Sequence, residues 1–392
     1  MLNSPFSPWP SFSEEEANAV RDVILSNKVN YWTGQECREF EKEFAAWSGT
    51  RYAVALTNGT VALDLAFKAL GIGAGDEVVV TSRTFLASVS SIVNAGAIPV
   101  FADVDADSQN ITAQTIASVL TSRTRAIVCV HLAGWPCDMD PIMALAEKHG
   151  LKVVEDCAQA HGAKYKGRPV GSIGHVGAWS FCQDKIMTTG GEGGMVTTND
   201  HDLWSDMWSY KDHGKSWEAV YERQHAPGFR WVHESFGTNW RMLEAQGVLG
   251  RIQLRRMDQW QQARLANARK IWAAAEQLPG LRVPAIPDDC LHAAYKCYVF
   301  VEPEALKADW TRDRILNEIV ARGVPCFSGS CSEVYLEKAF DNTQWRPQER
   351  LPVAMQLGET SLMFMVHPTL TTAEIDKTCQ VLRDVMQEAQ GV

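Results

Sequence analysis

The sequence predicts an α/β fold. A large domain with a mostly parallel seven-stranded sheet flanked by helices is followed by a smaller α+β C-terminal domain. Three observations carry this expectation. Up to about residue 200, short apolar runs alternate with helical segments. Those runs show little period-two polarity, as expected of strands covered on both faces. After about residue 245 the alternation gives way to long helices and few strands.

The elements follow in order. Residues 1–12 are rich in Pro and Ser and read as an arm. Residues 13–26 open with Ser13 and acidic residues, and Ala17, Val20, Val23 and Ile24 recur at helical spacing, which predicts a capped amphipathic helix. FEKEFAAWSG (40–49) predicts a second helix ending at Gly49. The seven strands are then RYAVALT, EVVVTS, IPVFADV, RAIVCVH, LKVVEDC, VGAWSF and GGMVTTN. TVALDLAFKAL, FLASVSSIVNAG and MDPIMALAEKHG are the intervening helices. From residue 246 one long helical stretch runs to Pro279-Gly280, followed by the strand KCYVFVEP, the helix DWTRDRILNEIVARG, and a terminal helix TTAEIDKTCQVLRDVMQEA. The expected domains are 1–245, with the arm, and 246–392.

Composition narrows the function. The 392 residues include 46% hydrophobic and 21% charged residues, which excludes disorder, collagen and coiled coil as global descriptions. A net charge of −10 argues against general binding of nucleic acid or anionic membrane. The ten cysteines form no C-x-x-C pair, and several lie in apolar runs, so they read as reduced, buried thiols. The N-terminus lacks the basic and apolar regions of a signal peptide, and no apolar run approaches bilayer length. A cytoplasmic location is expected. The histidines show no H-E-x-x-H or tight Cys/His spacing, so no metal site is expected. Gly71–Gly75 follows a helix, which excludes a dinucleotide fingerprint, and no G-x-S-x-G elbow occurs.

Three features lie at the ends of expected strands, where open α/β sheets bind ligands. Thr57-Asn58-Gly59-Thr60 joins a strand to a helix. Free N–H groups there bind phosphate, although capped strand–helix turns are common without one. Asp156 emerges at the carboxyl end of an apolar strand, where a carboxylate needs a cation or hydrogen bonds. A helix cap or a structural ion pair would satisfy it equally. After the strand carrying Ser180 comes Lys185, then a run containing Gly190, Gly191, Gly193 and Gly194. A lysine in a water-poor cleft acts as nucleophile or base, and elsewhere it is simply solvated. Together, a phosphate cradle, a carboxylate for a pyridinium nitrogen and a reactive lysine are what pyridoxal phosphate (PLP) needs.

These segments resemble the nucleotide-sugar aminotransferases of the DegT/StrS type, which are fold-type-I PLP enzymes. The resemblance runs through FEKEFAAWSGTRYAVALTNGTVALDLAFKALGIGAGDEVVV, TFLAS, AGAIPVFADVD, VHLAGWPCDMD, VVEDCAQAHGAKYKGRPVGSIG, SFCQDKIMTTGGEGGMVTTND, GTNWRMLEAQ and HPTLT. It implies a role for each matching residue. Lys185 links to the cofactor and moves protons. Asp156 pairs with the pyridine nitrogen, and Gln159 lies near the ring hydroxyl. Gly59, Thr60 and Ser180 hold the phosphate, and Phe85 stacks on the ring. Asn239 reaches the phosphate in the neighbouring subunit of a homodimer. Two departures bear on the sugar pocket. Cys182-Gln183-Asp184 stands where the family often has an aromatic and a proline, and Thr238 where an aromatic is common. Relatives with His at the lysine position are sugar dehydratases, and Lys185 argues against that activity.

The implied reaction takes an amino group from L-glutamate, leaving 2-oxoglutarate and pyridoxamine phosphate, and places it on a 3- or 4-keto-sugar nucleotide, a 6-deoxy hexose by expectation, for a surface polysaccharide or related glycan. The alternatives are dehydration or carbocycle modification within the same family, or a PLP-binding regulator without turnover. The polar, aromatic stretch 209–236 is a candidate substrate loop. Lys215, Arg223 and Arg230 could meet a diphosphate, and Trp217 or Trp231 could stack on a base. A solvated loop or a dimer contact is the plainer reading of the same stretch.

Overall fold

A computed structural model describes residues 5–390. Seven strands form the main sheet: β1 (Tyr52–Leu56), β2 (Glu77–Thr81), β3 (Ile98–Ala102), β4 (Thr124–Val130), β5 (Lys152–Asp156), β6 (Val176–Ser180) and β7 (Gly194–Thr198). Their spatial order is β1-β7-β6-β5-β4-β2-β3. The pairs β2–β3, β2–β4, β4–β5 and β5–β6 are parallel. Only β7 runs against its neighbours, β1 and β6. This is the expected mostly parallel sheet.

Both faces are covered, and most strand residues are apolar and buried. All five residues of β2, β6 and β7 are buried. An aromatic cluster seals one face: the Phe44 ring lies 5.1 Å from Trp179, and Phe40 lies 5.4 Å from Phe181. Truncating such a ring typically costs about 3–5 kcal/mol. The register fixes which residues reach the carboxyl edge together. Leu56 and Ser180 both pair with Gly194, Asp156 pairs with Ala178, and Val130 pairs with Asp156.

A second, antiparallel sheet orders Leu281–Arg282, Cys297–Val301, Ser361–Phe364 and Cys326–Phe327 side by side. The helices Met257–Ala275 and Thr372–Gln390 share its apolar core, including Ile271, Leu382 and Val385. Leu254 and Met257 instead pack into the core of the main sheet.

Four details differ from the sequence reading. The second helix spans Glu36–Ser48, starting before residue 40. Its first N–H groups are capped from far along the chain: the Glu244 carboxylate accepts from Glu36 N–H at 2.5 Å and from Cys37 N–H at 3.4 Å. The long stretch after residue 246 is two helices, Glu244–Leu254 and Met257–Ala275. They break at Arg256, whose guanidinium is held by Glu15 at 2.6 Å and Glu16 at 2.9 Å. A small sheet of Lys164–Tyr165, Arg168–Pro169 and Cys290–Leu291 ties the two parts of the chain together. All ten cysteines are free thiols, but Cys331 is exposed and Cys182 and Cys290 are half-buried, so not all of them are core residues. Among the described residues, no helix is long and apolar enough to cross a membrane.

Candidate active site

The carboxyl edge of β5 delivers two adjacent carboxylates to opposite faces, as strand periodicity requires. Asp156 faces the candidate site and is 5% exposed. The Ser88 hydroxyl donates to its Oδ2 at 2.7 Å, and the Ala158 N–H donates to its Oδ1 at 3.1 Å. Thr84 Oγ1 and Ser88 Oγ lie 2.9 Å apart and extend the chain of hydrogen bonds. Burial raises the Asp156 carboxyl above its ordinary range, while Ser88, Ala158 and the Lys185 ammonium oppose that rise. Ser88 was not singled out from sequence, although it closes the TFLAS segment. Ser88→Ala should therefore raise the Asp156 carboxyl further and move the acid limb of the pH–activity profile to higher pH. Ser88→Thr should restore the parent profile, because it keeps the donor.

Glu155 points the other way into full burial. It meets His131 Nε2 at 2.9 Å and accepts the N–H groups of Gly171, Ile173 and Gly174 at 2.8, 2.8 and 2.6 Å. Ligand atoms of His131, Glu155 and Cys157 lie within 4.8 Å of one another. The carboxylate oxygens of this group are already engaged by protein donors.

The turn after β1 forms a cradle. Asn58 caps the helix Gly59–Ala69, its side chain accepting the Val61 N–H at 3.0 Å. The first N–H groups of a helix have no intrahelical partner. Glycine is required in this turn by contact: a Cβ on Gly59 would sit 2.5 Å from Ser180 Cβ and 2.9 Å from its hydroxyl. A Cβ on Gly194 would sit 2.2 Å from the Asn58 carbonyl oxygen. The helix terminus therefore meets Ser180 at the sheet edge. Thr60 is exposed beside it.

Lys185 lies on the loop between β6 and β7. Its N–H donates to the Cys182 carbonyl at 3.1 Å, and the Trp9 indole N–H donates to its carbonyl at 2.8 Å. Its Nζ is 3.6 Å from Asp184 Oδ1 and 5.2 Å from the Tyr295 ring centroid. The Tyr295 hydroxyl donates to the other Asp184 oxygen. Gln159 accepts the Ala133 N–H at 2.8 Å. His161 is wedged between Trp179 and Phe181 with neither ring nitrogen hydrogen-bonded, and burial pulls it down to about 3, so it is neutral. Phe85 is 72% exposed, with its ring unburied by its own chain.

The edge thus gathers Asp156, Ser180, Gly59 and Lys185. The remaining candidates are engaged within the chain or exposed. Lys215 is bound within the chain, to Asp212 at 3.1 Å and over the Trp32 ring at 4.1 Å. Arg223 pairs with Glu218 and Glu234. Trp217 packs 4.9 Å from Trp208. Arg230 is exposed and donates to the Val220 carbonyl at 3.4 Å. Trp231 is 81% exposed and touches Phe229 at 4.8 Å. Asn239 is exposed and pairs through its backbone with Asp212. Sequence reasoning missed Trp9, Arg264, Tyr295 and Lys296, because only folding brings these distant residues to Lys185.

Residues 10–383 match the family model of the DegT/DnrJ/EryC1/StrS aminotransferases. The chain belongs to this family. It is 36% identical to the spore coat polysaccharide biosynthesis protein SpsC of Bacillus subtilis, over 98% of both chains. It is also 36% identical to the GDP-perosamine synthase of Caulobacter vibrioides, over 93% of this chain and 95% of that one. Among solved structures, the aminotransferase from Psychrobacter cryohalolentis shares 66% identity and a TM-score of 0.96, over 98% of this chain and 100% of that chain. The S. venezuelae protein DesV, solved in complex with a ketimine intermediate, shares 32% identity and a TM-score of 0.86, over 98% and 99% of the two chains.

Proposed function

We propose that this PLP-dependent sugar aminotransferase moves an amino group from L-glutamate to a keto-sugar nucleotide. The observation that carries this reading is the convergence on one sheet edge of a buried carboxylate, a lysine and a glycine-lined helix terminus. The fit to PLP is physical. Gly59 and Gly194 leave space that any Cβ would fill, against Ser180 and Asn58. A helix N-terminus and a serine hydroxyl suit a phosphate. Asp156, buried and hydrogen-bonded, suits a protonated ring nitrogen.

When bound, the cofactor supplies an aldehyde carbon that captures amines and a ring that accepts an electron pair. The protein does the rest. Gly59, Thr60 and Ser180 would hold the phosphate, and Gln159 and Phe85 the ring. Asp156 would hold a proton on the ring nitrogen, with Ser88 and Ala158 keeping the carboxylate oriented. Lys185 Nζ is the base at the amine-bearing carbon, and the Cys182 and Trp9 hydrogen bonds fix the backbone that carries it. The relatives named for perosamine synthesis and spore coat polysaccharide support a sugar acceptor. The deciding test is the visible absorbance of protein supplied with PLP. A yellow band that L-glutamate bleaches, and a keto-sugar nucleotide restores, supports the proposal. A yellow band indifferent to every amino acid sinks it.

The active sites belong to a homodimer in this reading. Phe229, Trp231 and Phe236 are 74%, 81% and 99% exposed on the segment that leads to Asn239. Such apolar exposure marks an interaction surface. Light scattering should give twice the chain mass of 43.5 kDa. Replacing Trp231 and Phe236 with serine should weaken both the dimer and cofactor retention, and a monomeric parent with full activity would refute the shared site.

A further inference from the structure

The Tyr295 ring has a second amine close to it. Lys185 Nζ lies 5.2 Å from its centroid and Lys296 Nζ 4.7 Å. Lys296 is half-buried, and its Nζ has the Met365 sulfur as neighbour at 3.3 Å. Among the described residues it has no carboxylate within ion-pair distance. Burial lowers its amine to about 8.

Behind it stands Arg264, 2% exposed, on the helix Met257–Ala275. Its Nη1 reaches the Tyr295 carbonyl at 3.5 Å, while Nε and Nη2 have no partner. The Trp9 ring covers the guanidinium at 4.8 Å. The nearby carboxylates are already engaged. Asp156 serves Ser88 and Ala158, and Asp184 serves Tyr295 and faces Lys185. Asp184 offsets Lys185 and, at longer range, part of the Lys296 charge, but neither Lys296 nor Arg264 has a carboxylate within ion-pair distance in this poorly solvated region. Uncompensated buried charge is costly, and the region gains most from an anion arriving in front of Lys296.

The chemistry of the proposed reaction supplies one. Any amino-acid donor carries a carboxylate on the carbon whose amine reacts at Lys185, so that carboxylate comes to rest within a few ångströms of Lys185. We infer that Lys296 receives the carboxylate of the amino-acid donor, with the unpaired Arg264 behind it reinforcing the positive field. This inference rests on the aminotransferase reading above. It differs from the expected roles, which give Lys296 none.

The test titrates the bleaching of the yellow PLP-loaded protein with L-glutamate. In Lys296→Met the half-saturating concentration should rise by about tenfold or more, the loss expected for a charge-assisted hydrogen bond, with the limiting rate little changed. Lys296→Arg, which keeps the cation, should stay near the parent. Retention of the yellow band shows that each variant is folded. Calorimetry with glutarate, a dicarboxylate without an amine, provides the second arm: it should bind the PLP-loaded parent and not Lys296→Met. Unchanged half-saturation together with unchanged glutarate binding overturns the inference. So does a defect confined to recovery with the keto-sugar nucleotide, which would assign Lys296 to the acceptor. A parent that never bleaches overturns the aminotransferase reading instead, and the glutarate arm still decides whether a carboxylate site exists.

Discussion

Lys185→Ala should lose at least about 10²–10⁴ in turnover, the usual worth of a positioned acid–base group, and should not develop the yellow band with PLP. The size of the effect follows from the loop that presents the amine. The Lys185 backbone is held by its own N–H on Cys182 and by Trp9 on its carbonyl, so the side chain projects from a fixed point beside Asp184 and Tyr295. Lys296 shares that ring, but it belongs to the chain entering the second sheet and rests on Met365, a different support from the Lys185 loop. Binding should survive better than turnover, because the cradle at Gly59 and Ser180 and the carboxylate of Asp156 are untouched. Single-turnover absorbance with L-glutamate and a fluorescence titration of PLP separate the two quantities. Turnover at the parent rate would remove Lys185 from the mechanism.

The sheet was legible because strands buried on both faces read as short, largely apolar runs with little alternation, as β2, β6 and β7 do, each of whose five residues is buried. Asp156 and Lys185 stood out for the complementary reason, since each is polar just where an apolar strand ends or has just ended. The remainder depends on pairing across the chain, which carries no local signal. The start of the second helix at Glu36 is set by Glu244, and the break before Met257 by Glu15 and Glu16. Likewise Trp9, Arg264 and Lys296 have ordinary local patterns. Trp9 lies in a Pro-rich arm, Arg264 on a helix and Lys296 at the start of a strand, and only the fold reveals that they converge on Lys185. The TFLAS segment was read for its aromatic ring, while its last residue, Ser88, proves to be the group that touches Asp156.

Glu155→Ala should be as damaging to stability as losing a core aromatic ring, at about 3–5 kcal/mol, the range for removing one partner of a buried charged network. Its carboxylate is fully buried and is the common acceptor for His131 and for the N–H groups of Gly171, Ile173 and Gly174. An alanine would strand all of these donors where water cannot replace the lost acceptor. Burial alone would raise the Glu155 carboxyl. The hydrogen bond from His131, with the N–H groups of Gly174 and Gly171, outweighs burial and holds it below the ordinary glutamate range. The sign of the pH effect follows. A carboxyl lowered in the folded state binds protons more readily when unfolded, so its contribution is present above the unfolded value of about 4.3 and is lost as pH falls through the folded value. Urea midpoints should therefore show a large Glu155→Ala deficit at neutral pH that narrows as pH falls below the unfolded value of about 4.3. Cofactor affinity should fall as well, because Glu155 and Asp156 share one strand end, and releasing the 171–174 turn loosens the edge that aims Asp156. A Glu155→Ala midpoint equal to the parent's at neutral pH would show that the network holds no stability. An unchanged PLP affinity despite a lowered midpoint would separate the strand end from the site.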